Sequence, residues 1–170
     1  MTDSRAPAPT CLGIAAAVLL AGGAVRLVPL YWSPYPATLD GFLYAATAEH
    51  VLATGHLPLP IEWDSLGFTA LVSVASALTG VPPLRLAQPL AAVLGGVSCL
   101  TGVVVARRIG LDLGWPADRV RVAATLAGVA MAVEGLYVRR TGVPDEEVVG
   151  LLLVPLLAFA FHRALEQRDP

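Results

Sequence analysis

The acidic residues of this chain gather in two places where carboxylates could act together. Asp40 opens a stretch that reads as a helix, and Asp145, Glu146 and Glu147 stand in a row just ahead of an apolar run. Hard divalent cations such as Mn²⁺ or Mg²⁺ take oxygen ligands, commonly from two or three carboxylates at separated chain positions. Asp145 and Glu147, two apart at a helix mouth, could face a shared cavity with Asp40. A metal held by Asp40, Asp145 and Glu147 would neutralise a phosphate leaving group. A plainer reading stands beside this one. Asp40 as an N-cap is worth about 1 kcal/mol, and carboxylates at a helix start favour the positive end of its dipole. Spacing alone leaves both readings open.

Other candidates carry less chemistry. Glu134 lies in an apolar run, where a carboxylate is paired or functional by default, yet it sits one turn from the end and reads as structural. His50 and His56 are six apart, which is not a metal-pair spacing, and read as surface histidines. Cys11 and Cys99 occupy apolar runs and read as small buried hydrophobes. Tyr31, Trp32, Trp63, Trp115 and Tyr137 read as interface anchors. Arg26, near the end of the first apolar run, is expected to reach the interface by snorkelling.

The elements that must position these residues are membrane helices. Of 170 residues, 56% are hydrophobic and only 14% charged, against nearer a quarter charged in soluble domains. Net charge is −2, which points away from nucleic acid. There is no lysine, and arginine supplies every basic side chain, a usage common in GC-rich archaeal genomes. The expected fold is all-α, a polytopic helix bundle with spans at about 11–32, 85–106, 122–138 and 148–163, and a basic loop at 107–121. Residues 33–84 form an outer loop with short helices, one of them from Asp40 to Thr54 with Gly55 as its terminator. Residues 67–80 make only about 21 Å of helix, short for a span. If that segment lies on the surface, Arg5, Arg107, Arg108, Arg119, Arg121, Arg163 and Arg168 all face the cytoplasm, as the positive-inside rule prefers. The N-terminus is then cytoplasmic in a plasma membrane, and both acidic clusters face outside.

The order of these features resembles the catalytic subunits of oligosaccharyltransferases, multi-spanning glycosyltransferases that use lipid-phosphate donors. One helix is followed by TLDGFLYAATAEHVLATGHLP, a short helix, two spans and RRTGVPDEEVVGLLLVPLLA. In that family an Asp in the first outer loop binds the divalent metal, and Asp40 in Asp40-Gly41-Phe42 matches it. The second family motif, two acidic residues flanking one position after an Arg and a Gly, is matched by Asp145-Glu146-Glu147 after Arg139 or Arg140 and Gly142. Val143-Pro144 stand where the family has aromatic residues. The resemblance implies Asp40 as a catalytic group and Mn²⁺ or Mg²⁺ as cofactor. It also implies a polyprenyl (dolichyl) phosphate-linked glycan donor, an acceptor polypeptide and the lipid bilayer as partners. It covers most of residues 11–165, so the expectation is the N-terminal part of such an enzyme, as a fragment, a split-gene product or a degenerate copy, a second chain being one source for the C-terminal part. Two rivals are a polyprenyl-phosphate monosaccharide transferase using the acidic loop as general base without a metal, and a small transporter or assembly subunit. The last predicts that Glu134 and Gln88 face a polar path through the bundle.

Overall fold

The computed structural model describes residues 8–58 and 66–166, and over these the chain is helical without strands. Arg5, Pro60, Trp63 and Arg168 lie outside the described residues. Seven α-helices follow in order: α1 Ala8–Leu27, α2 Leu39–Thr54, α3 Leu66–Thr79, α4 Pro83–Asp112, α5 Ala117–Val133, α6 Gly135–Thr141 and α7 Glu147–Glu166, with a 3-10 turn at Val28–Tyr31. Two segments, Leu12–Tyr31 and Pro83–Asp112, are long and apolar enough to cross a membrane. The pair α5–α6 makes a third if its two parts count as one span. The apolar part of α7, Glu147–Phe161, is shorter.

α1, α4 and α5 form the centre. Where α1 crosses α4, glycine meets glycine: a Cβ on Gly96 would lie 3.1–3.2 Å from the backbone of Gly23. Small residues that let backbones approach replace the hydrophobic drive that lipid removes. Val18, Cys99 and Ala132 are buried together at this centre. α3 does not lie apart on the surface. Phe68 and Val72 are fully buried with Tyr44 and Ala48 of α2, Ala87 and Ala91 of α4 and Val148 of α7.

Three local expectations are corrected. The cap of α2 is Thr38, not Asp40: Thr38 is extended at φ −131° and its hydroxyl accepts from the Gly41 N–H at 3.2 Å. Asp40 therefore falls in the first turn, with its carboxylate released from capping. Gly55 does end the helix, at φ 73°, where a Cβ would be strained. The basic segment 107–121 is mostly helix, since α4 runs to Asp112 and α5 starts at Ala117. Finally, the run 122–138 is not straight. It bends by 65° at Glu134, whose ψ of 123° leaves the helix and whose carboxylate caps the amides of Leu136 and Tyr137 at 3.1 and 2.6 Å. Glu134 is exposed, and capping is its role.

Candidate functional site

The C-terminal ends of α1 and α5 and the N-terminal ends of α4 and α7 share one end of the bundle, and the acidic residues lie there. α2 begins against the 142–146 loop. The Ala37 N–H donates to Gln88 Oε1 at 3.0 Å, and Gln88 Nε2 donates to the Gly142 carbonyl at 2.6 Å. Gln88 is fully buried, so a hydrogen-bonded amide ties the segment ahead of α2, α4 and the acidic loop together. Thr38 Oγ1 donates to the Pro144 carbonyl at 3.4 Å, and the Tyr44 hydroxyl donates to Glu146 Oε2. Gly41 allows the contact: a Cβ there would come within 2.6 Å of Pro36 and 3.0 Å of Pro144. Gly41→Val is expected to lift α2 off the loop, raising proteolysis at 33–58 while α1, α4 and α5 remain packed.

Beneath the loop lies Arg26, 1% exposed and in the bundle rather than at its surface. The expectation of snorkelling fails because the break in α5 offers acceptors inside. Nη1 donates to the Gly22 carbonyl at 2.8 Å and to the Ala132 carbonyl at 3.3 Å, and Nη2 donates to the Met131 carbonyl at 3.4 Å. Nε donates to Thr141 Oγ1 at 2.8 Å, and the guanidinium sits 5.6 Å from the centroid of the Tyr137 ring. Carbonyls at the end of α5 carry its negative dipole charge and face a cation there. Gly95 makes the room, since a Cβ would collide with Arg26 and with the Thr141 carbonyl. Thr141 and Gly142 lead directly into the acidic loop. Arg26 and Gln88 therefore fix both its start and its distance from α2.

Within the loop the carboxylates divide. Burial, then the hydrogen bond shared with Glu146, pushes Asp145 up to about 6. Burial opposes the ionised form of Glu146 too, but hydrogen bonds from Asp145, Tyr44 and its own amide hold it below the usual glutamate range. The two carboxylates thus share one proton in mildly acidic water. Burial and the bond to Glu146, with the charges of Glu146, Asp145 and Asp40, push the Tyr44 phenol up. Glu147 turns away and pairs with Arg140 at 2.7 Å.

Asp40, Asp145 and Glu147 therefore share one end of the molecule without forming a donor set. Among the described residues, no three His, Cys, Asp or Glu side chains come close enough to hold one metal ion. The physical reason is that Asp145 is engaged with Glu146 and Glu147 with Arg140. Tyr44 is the member that residue types did not single out, and Glu146, named with the acidic row, was not expected to make the contact with it. Tyr44 stands four residues after Asp40, one turn along the same helix, and that spacing was its only signal.

A pH dependence follows. Asp145, raised when folded, stabilises the docked loop below its ordinary value and loses that contribution as pH rises through about 6. Glu146, lowered when folded, contributes above its ordinary value and loses this as pH falls through its folded value. Thermal unfolding in detergent is expected to peak on the acidic side of pH 6, and Asp145→Asn to remove the decline above it.

No protein family, curated protein or solved structure matches this chain.

Proposed function

We propose that this chain is a glycosyltransferase-like membrane protein that draws sugar from a polyprenyl (dolichyl) phosphate carrier, with its chemistry at the acidic end. The observation that carries this reading is the docking of the Thr38–Tyr44 segment onto the 142–146 loop, which joins two acidic motifs a hundred residues apart in sequence. The acceptor's O–H or N–H attacks the anomeric carbon, the bond from that carbon to the phosphate oxygen breaks, and polyprenyl phosphate leaves. The acceptor proton passes to the Asp145 carboxylate, ionised above about pH 6 and so suited to a general base near neutrality. Asp40, exposed on the rim in the first turn of α2, orients the acceptor. This reading takes four spans, with a cytoplasmic N-terminus and the acidic end outside.

Of the two transferase forms, the engagement of Asp145 with Glu146 favours the base-assisted one, with a lipid or sugar hydroxyl as acceptor. The transporter reading loses support because Gln88 spends both ends of its amide on backbone groups and Glu134 caps a helix. The test is reconstitution with a radiolabelled polyprenyl-phosphate sugar and hydroxyl acceptors, with and without a chelator. Transfer that survives chelation and rises through pH 6 supports the base-assisted form. Transfer lost to the chelator and restored by Mn²⁺ replaces it with the metal-assisted form using Asp40, Asp145 and Glu147. No transfer to hydroxyl or Asn acceptors rejects the reading.

A further inference from the structure

The opposite end of the bundle carries Arg107, Arg108, Arg119 and Arg121 around the turn between α4 and α5. The turn between α4 and α5 folds the two helices back on each other. Arg107 lies five residues before the end of α4 and Arg121 four residues after the start of α5. At 1.5 Å per residue both stand about 6–8 Å in from the turn, at one level. Between them is a cavity of about 40 Å³, lined by both arginines and otherwise by Ile14, Val103, Val120 and Ala124 with Ala117.

The charges around this cavity are only partly answered. Arg108 pairs with Asp112 at 2.9 Å along α4. Asp118 approaches Arg121 Nη1 at 3.6 Å, but its side chain is 89% exposed, and such a pair is screened and weak. Arg121 Nε is buried with no acceptor among the described residues, a donor costly to leave unsatisfied. Arg107 and Arg119 pair with none of the described carboxylates. Across 107–121, four arginines stand against two aspartates, which leaves this turn positive.

We propose that Arg107 and Arg121 clamp the headgroup phosphate of an anionic phospholipid, with the start of an acyl chain against the apolar wall of Ile14, Val103 and Val120. Two guanidiniums at one level match a phosphate, for which arginine is the side chain of choice. The apolar lining is what a free anion would not need and a lipid would use. A headgroup at this level ties α1, α4 and α5 together at the end remote from the acidic loop. The site depends on the chain lying in a membrane and is independent of the transferase reading.

Trp115 reports on it, because its ring and Val120 both lie against Gly110, and Val120 lines the cavity. A variant with Trp32→Phe and Trp63→Phe would be placed in phosphatidylcholine vesicles containing brominated phosphatidylglycerol, or brominated phosphatidylcholine at the same fraction. Phosphatidylglycerol is expected to quench Trp115 at lower mole fraction. Each arginine near an anionic headgroup is worth about fivefold, so Arg107→Gln with Arg121→Gln is expected to lower the preference roughly 25-fold. Arg107→Lys with Arg121→Lys, which keeps the charge and the packing of the stems, is expected to fall between that variant and the parent. Inorganic phosphate is expected to leave the quenching unchanged. Equal quenching by both lipids overturns the proposal. So does an Arg119→Gln loss as large as that of the cavity pair, since that is diffuse surface attraction, and so does full displacement by inorganic phosphate.

Discussion

Arg26→Leu is expected to lower the unfolding temperature in detergent by on the order of 10 °C, the largest stability effect of any single change in this chain. The substitution removes the donors to the Gly22, Met131 and Ala132 carbonyls and to Thr141. Replacing a buried ion pair by apolar residues can be neutral or better, but here no carboxylate is removed with the cation. The Met131 and Ala132 carbonyls left behind stand at the broken end of α5, and each buried orphan costs about 1–3 kcal/mol. Arg26→Lys discriminates between charge and geometry. A single ammonium cannot reach the Met131 side, the Thr141 side and Gly22 in the directions a guanidinium does. Lysine is therefore expected to fall nearly as far as leucine. A lysine variant as stable as the parent would mean that the positive charge alone holds the break. Thr141→Ser, which retains the acceptor for Nε, is expected to stay near the parent, and Thr141→Val to lose part of the stability.

The second large effect is on the glycosyl transfer proposed above. Asp145→Asn is expected to lower it by about 10²–10⁴-fold, the range that a positioned general base supplies. The residual rate is expected to lose its rise through about pH 6, because the group that ionises there is gone. Tyr44→Phe is a milder change. It withdraws one donor from Glu146, which weakens that carboxylate's ionised form and shifts the proton within the pair. The activity limb is therefore expected to move in pH while the maximal rate changes less. Rates read across pH in Asp145→Asn, Tyr44→Phe and the parent separate the base from the residue that positions its neighbour.

Parts of this arrangement were readable from residue types. Gly55 ended α2 because only a left-handed backbone could close that helix, and residues 67–80 matched a helix of that length. Apolar runs located α1 and α4, since hydropathy over some twenty residues has few other causes. The break at Glu134 was not readable, because average hydropathy does not register one residue leaving the helix. Nor was the fate of Arg26. Its position near a helix end suits snorkelling equally well, and only the carbonyls exposed by the break on another helix decide between the two. The same holds for the acidic loop. Sequence placed Asp40 and Asp145 on one side through loop lengths and arginine counts, but which carboxylate met which partner depended on packing. Arg140 took Glu147, Tyr44 took Glu146, and the expected trio of Asp40, Asp145 and Glu147 did not assemble as ligands.

The start of α2 sits on the acidic loop, and cross-linking tests that contact most directly. Thr38→Cys and Pro144→Cys would be combined in a background lacking Cys11 and Cys99, in membranes, and treated with a short bifunctional thiol reagent. Thr38 Oγ1 lies 3.4 Å from the Pro144 carbonyl, so digestion and mass spectrometry are expected to recover the two peptides joined within one chain. Recovery of the two peptides separate, with the two cysteines labelled from opposite faces by a membrane-impermeant reagent, would contradict it.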